Sequence, residues 1–224
     1  MTERDGTTSN RTTVHLLRHG EVHNPTGVLY GRLPDFHLSE LGRQMASTVA
    51  EDLSGSDITH LRCSPLERAQ ETMEPVAAAL DLPVTIDDRV IEAENYLQGK
   101  RFDGSKGSAF TNPRNWIYFR NPFRPTWGEP YKKIAARMRS ALHDAAQQAA
   151  GHQALIVSHQ LPIWIARLAV EGRRFVHDPR NRECTLASLT SFTFVDGRIT
   201  GVTYREPAAA LLPAGKSKKF VAGA

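Results

Sequence analysis

The chain has 224 residues, 40% of them hydrophobic and 23% charged, with 28 Lys and Arg against 24 Asp and Glu for a formal net charge of +4. Those proportions describe a globular domain able to bury a full core without disulfides, and they exclude collagenous, low-complexity and disulfide-scaffold classes. Only two cysteines occur, Met1 to Arg11 is polar without an apolar h-region, and no run of 18 apolar residues exists, so the expectation is a cytoplasmic protein with no membrane partner.

The first element is an apolar strand, Val14-His15-Leu16-Leu17, which runs into Arg18-His19-Gly20-Glu21 and a loop over 20–38 rich in Gly, Pro and Asn. Ser39 is placed to cap a helix whose apolar stripe is Leu41, Met45, Val49 and Leu53. Ile58 to Cys63 reads as a strand in which Cys63 is a buried thiol. Directly after it, Ser64-Pro65-Leu66-Glu67 has the form of a capping box, with Pro65 at the first helical position. Pro75 is expected to kink that helix or end it early. Leu82 to Ile86 is a short strand.

Residues 93–139 differ from their flanks in composition. They carry ten Lys and Arg against Glu94, Asp103 and Glu129, and nine of the seventeen aromatic residues. Residues 99–128 hold too many Gly, Pro and Asn for one regular element and read as an insertion folding over the body. A lid over a small acidic substrate accounts for this composition better than a surface for single-stranded nucleic acid. Ile134, Met138, Ala141, Leu142 and Ala145 then mark a helix ending at Gly151, followed by a strand at 154–158, a helix from about Pro162 to Val170, and a hairpin of Phe192–Val195 with Ile199–Tyr204 across Asp196-Gly197. Strands alternating with helices predict an α/β fold: a three-layer sandwich with a parallel-rich mixed sheet and helices on both faces. One domain over 13–206 is expected, with disordered segments at 1–12 and 207–224.

The strand at 154–158 ends like the first one, with Ser158 leading to His159. In an open α/β sheet, ligands bind beyond the carboxyl ends of the strands, so if the two strands are parallel neighbours both imidazoles face one pocket. Histidine attacks phosphorus when one ring nitrogen is held by a hydrogen bond and the other is free. Arg18 and Arg68 supply guanidinium forks that match phosphate oxygens, and Arg68 lies near the positive end of its helix. His15, inside the strand, is read as structural. His19 and His23 lack the helical arrangement of a zinc site, and Ala214-Gly215-Lys216-Ser217 lacks the earlier glycine of a phosphate loop, so no metal and no cofactor is expected.

The segment Leu16 to Glu21 with its Arg-His-Gly core, Ser64 to Thr72, and Val157-Ser158-His159 together resemble the histidine phosphatase superfamily, in its phosphoglycerate-mutase-like branch. Gly31, Leu38 to Ala46 and Gly128-Glu129 resemble its secondary landmarks, and the likeness spans residues 13–195. The resemblance implies a phosphoglycerate-mutase-like fold, His19 as the transiently phosphorylated residue, and Arg18, Arg68 and His159 as the pocket around the phosphoryl group. It implies a glutamate as proton donor, which falls at Glu92, with Glu94 two residues on as the alternative. Asn24 and Gln160 are further substrate-binding candidates. Val22 stands where many relatives carry Ser or Thr, Asn24 comes one position early, and Gln160 replaces the glycine found in most of them.

The activity implied is a phosphoric monoester hydrolase acting on a small phosphorylated metabolite through a phosphohistidine. The alternatives are a phosphoglycerate-mutase-type phosphotransferase and, from another class, a non-catalytic phospholigand or nucleic-acid binding module. Sequence leaves substrate and oligomeric state open.

Overall fold

The computed structural model describes residues 11–101 and 128–212. The first apolar run is the middle of β1 (Arg11–Arg18), after which α1 (Glu40–Leu53), β2 (Ile58–Cys63), α2 (Glu67–Leu80) and β3 (Val84–Ile86) follow in order. A single 3-10 turn, Asp88–Val90, leads toward Glu92. The second half contributes α3 (Tyr131–Gln148), β4 (Gln153–Ser158), α4 (Gln160–Val170), β5 (Leu189–Val195) and β6 (Arg198–Arg205).

The six strands form one sheet in the order β3-β2-β4-β1-β5-β6. The first four are mutually parallel, and β5 and β6 run antiparallel at one edge. Alternation along the central strands decides which helices cover which face. Val14 and Leu16 of β1, with Ala154 and Ile156 of β4, pack under α3 and α4. Leu17, with Leu155 and Val157, packs under α1 and α2. Each such large side chain taken from water contributes about 1.5–3 kcal/mol, and a one-residue slip would turn all of them to the wrong face. The predicted three-layer α/β sandwich is the observed architecture. The β5–β6 hairpin closes at Asp196 and Gly197, both with positive φ (49° and 74°), as a two-residue primed turn requires.

Several expectations change. Ser39 does cap α1, accepting from the Gly42 N–H at 3.0 Å. Ser64 does not cap α2: the helix starts at Glu67 with Leu66 as its cap residue and no side-chain cap. The reason is that β2 continues its pairing one residue further, with Ser64 N donating to Val157 O, so the chain is still extended there. Pro75 lies inside α2, which runs on to Leu80. A mid-helix proline costs ~3 kcal/mol, and burial of Met73 and Val76 on either side offsets it.

The third strand is shorter than predicted. At the ends, Arg11 and Thr12 belong to β1, because both pair with β5. Ala208 is buried and Leu211 and Leu212 pack on the α1/α2 face, so the chain remains folded past 207. The segments expected to be disordered at 1–10 and 213–224, and most of the basic insertion, 102–127, lie outside the described residues. Among the described residues no helix is long and apolar enough to cross a membrane.

Candidate active site

The pairing of β1 with β4 sets Arg18 opposite Ser158, so His19 and His159 leave the sheet at the same level, beyond the carboxyl ends of parallel neighbours. Their rings lie 5.2 Å apart between centroids, and both residues are fully buried. His19 Nδ1 sits 2.8 Å from the carbonyl of Gly20. A carbonyl only accepts, so Nδ1 carries the proton and Nε2 holds the lone pair. Nε2 is buried and without a partner among the described residues. Burial, with Arg68 and Arg18 nearby, holds the His19 pKa well below the ordinary histidine value, so the ring is neutral at pH 7.

His159 is organised in the opposite sense. Its Nε2 lies 2.7 Å from Ser64 Oγ, which also accepts from the Leu66 N–H at 3.4 Å. In the tautomer in which the hydroxyl donates to Nε2, Nδ1–H is turned to the site as a donor. Burial first, then Arg68 and His19, keep this imidazole neutral as well.

Arg18 and Arg68 are buried without a carboxylate in ion-pair range among the described residues. Arg18 is anchored by Nη1 donating to Cys184 O at 2.7 Å, and its Nε and Nη2 have no partner among the described residues. Arg68, at the second position of α2, donates from Nη2 to Gly31 O at 2.6 Å and lies 4.8 Å from the centroid of the Tyr30 ring. Its Nε and Nη1 have no partner among the described residues. Four buried guanidinium nitrogens, His159 Nδ1 and the His19 Nε2 lone pair therefore have no partner among the described residues and lie within Coulombic reach of one another. Each buried unpaired polar group costs about 1–3 kcal/mol, more when charged, and a tetrahedral oxyanion satisfies all the donors at once.

Glu92 is buried and Glu94 is exposed, which favours Glu92 of the two carboxylates weighed from sequence. Burial raises the Glu92 pKa, against the lowering effects of the Ala93 N–H and Arg68. Its Oε1 accepts from Ala93 N at 2.7 Å, while Oε2 has no partner among the described residues and is the natural seat of a proton. The backbone around it is clamped. Arg32 Nε donates to Glu92 O at 2.7 Å, Arg137 Nη1 donates to Ile91 O at 2.8 Å, and both arginines pair with Glu129. Two charges of the basic segment, Glu129 and Arg137, thus serve to hold the carboxylate in place. Gly128 allows this: a Cβ there would come within 2.1 Å of Glu94 O.

Asn24 spends both ends of its amide on Val28, closing its own loop, so the expected substrate contact finds no support in this geometry. Gln160 lies beside the site, donating to Cys184 O at 3.3 Å and accepting from Arg182 Nη1 at 3.1 Å. His15, read as structural, bonds Ser191 and Gln153 within the sheet. Cys63 is buried, and burial pushes its thiol up to about 12. Sequence reasoning missed Tyr30, Arg182 and the contact of Ser64 with His159. Ser64 carried a signal, but it read as a helix cap; nothing local distinguishes Tyr30 or Arg182.

Comparison with known proteins bears on the fold and the family. Uncharacterized protein Rv0525 of Mycobacterium tuberculosis (strain ATCC 25618 / H37Rv) is 52% identical over 198 residues, covering 88% of this chain and 98% of that one. Among solved structures, a mycobacterial glucosyl-3-phosphoglycerate phosphatase superposes with a TM-score of 0.69 at 23% identity, over 87% of this chain and 96% of its own. Phosphoserine phosphatase of Entamoeba histolytica, solved with phosphoserine, has a TM-score of 0.69 at 23% identity, over 90% of this chain and 100% of its own. The family model of the histidine phosphatase superfamily (branch 1) matches residues 14–207, and the chain belongs to that family.

Proposed function

We propose that the protein is a phosphatase that hydrolyses a small phosphorylated metabolite through a phosphohistidine on His19. The observation that carries this reading is the His19 ring: neutral, oriented by Gly20, with a buried Nε2 lone pair beside two guanidinium groups that have no carboxylate in ion-pair range among the described residues. A site built only to bind an anion would present a donor at this point.

In the first step the Nε2 lone pair attacks phosphorus, the P–O bond to the leaving group breaks, and the proton held on Glu92 moves to the departing oxygen. Arg18, Arg68 and the Nδ1–H of His159 stay on the equatorial oxygens as their charge redistributes. In the second step water loses a proton to Glu92 and attacks phosphorus, and the P–N bond breaks to release inorganic phosphate and restore both groups. Preorganised donors of this kind are worth roughly 10²–10³ in rate each.

Rapid quenching of the enzyme with radiolabelled 3-phosphoglycerate or phosphoserine tests the reading. The expected result is label on the protein that is stable to alkali, labile to acid and absent from His19→Ala, with phosphate as the product. Turnover without labelled protein would remove the covalent step, and conversion of 3-phosphoglycerate into 2-phosphoglycerate without phosphate release would replace hydrolysis by transfer.

A further inference from the structure

Among the described residues, every buried or half-buried arginine has a carboxylate within ion-pair distance except three: Arg18, Arg68 and Arg182. The first two form the oxyanion clamp. Arg182 lies in the loop after the Pro179–Asn181 turn, and both of its hydrogen-bond partners among the described residues are neutral. Its Nε donates to His177 Nε2 at 2.8 Å and its Nη1 to Gln160 Oε1 at 3.1 Å. His177 is fixed as an acceptor, because its Nδ1–H donates to Phe175 O at 2.6 Å. Burial keeps the His177 ring below the ordinary histidine value, so it brings no charge of its own.

The cation is tied to the catalytic groups. Gln160 follows His159 in the chain, and its amide shares the Cys184 carbonyl with Arg18. Arg182 is within Coulombic reach of both Glu92 and Arg18. A desolvated cation next to another cation is unfavourable unless an anion joins them. The charge count indicates which anion. Arg18 and Arg68 balance a phosphoryl dianion, and Arg182 leaves room for one further negative charge, with two of its donor positions already engaged.

We propose that Arg182 is a second anion subsite that receives the carboxylate of a small phosphorylated acid whose phosphoryl group lies between Arg18 and Arg68. This rests on the phosphatase reading for its substrate, and it is tested separately from turnover. Titration calorimetry of the His19→Ala protein compares 3-phosphoglycerate with glycerol 3-phosphate, which differ only by a carboxylate in place of a hydroxymethyl group. A charge-assisted contact predicts tighter binding of the acid by about 10- to 100-fold.

Adding Arg182→Met or Arg182→Gln is expected to bring the two affinities within about 2-fold, and Arg182→Lys to retain part of the preference. Two neutral variants are made so that one which fails to fold leaves the other to decide. Equal affinities in His19→Ala, absence of binding, or a preference that survives both neutral substitutions would overturn the subsite. If the preference is present and lost as expected while the unmutated protein releases no phosphate from either ligand, the subsite stands and the phosphatase reading fails.

Discussion

Replacing Glu92 by Gln isolates the proton the reaction needs while leaving the site otherwise intact. Gln keeps the volume and an oxygen able to accept from the Ala93 N–H, so the bond at 2.7 Å survives and only the acidic proton on Oε2 is lost. General acid catalysis contributes typically 10²–10⁴-fold, so phosphoenzyme formation from an alkyl phosphate is expected to slow by that factor, or about 2.7–5.5 kcal/mol of barrier. The effect should depend on the leaving group. An alkoxide must be protonated as it departs, whereas p-nitrophenolate leaves unaided, and its transfer is expected to fall less than about 10-fold.

Single-turnover measurement of both substrates gives the ratio directly. Equal losses on the two would refute Glu92 as the acid and point to a purely electrostatic or structural role. Stability supplies an independent check on the same residue. Because burial raises its folded pKa above the ordinary value of 4.5, the stability linked to Glu92 is present below that value and lost as pH rises through the folded one. The neutral amide removes this loss, so Glu92→Gln should be more stable than the parent at pH 7.5 while being less active. A variant that is both less active and less stable would show that the carboxylate is a packing element.

The two site histidines carry the opposite sign. Their folded pKa values lie well below 6.5, so their contribution to stability is present above about pH 6.5 and lost as pH falls through the folded values. Each contributes up to about 1.4 kcal/mol per pH unit in that window. Urea midpoints at pH 7.5 and 5.5 should therefore differ, and His159→Gln should reduce the difference; identical slopes would mean that the rings titrate normally. Gly42→Ala tests the support under the nucleophile. A Cβ at Gly42 would come within 2.0 Å of Glu21 O, which is backbone, so the loop carrying Gly20 and Glu21 must shift. The overpacking cost of about 1–3 kcal/mol exceeds the gain in helix propensity of about 1 kcal/mol. Lower thermal stability and lower activity are expected together, and an unchanged melting temperature would contradict the close approach.

Much of the site was legible because the residues that carry it follow strong local signals. His19 and His159 each terminate a short apolar run rich in Leu, Ile and Val, and a parallel pairing of those runs is sufficient to bring the rings to one level. Arg68 was placed near the start of α2 even though that start shifted to Glu67, since a two-residue error at a helix end leaves a side chain of arginine length within reach. Ser64 shows where such reasoning fails. The capping box and the contact with His159 compete for one hydroxyl, and the winner is a residue 95 positions away. Glu92 and Glu94 are equivalent as letters two apart; the clamp by Arg32, Arg137 and Glu129 buries the first and leaves the second exposed.

The sequence by itself determined the alternation of strands and helices, the apolar faces of α1 and α3 and the primed turn at Asp196-Gly197. These follow from periodicity and short-range stereochemistry, which act between neighbours in the chain. Tertiary structure alone decided which carboxylate is buried, which tautomer His19 holds, and that Arg182 has no counter-charge among the described residues. Those properties depend on desolvation and on partners brought together from distant segments, and no local pattern encodes them.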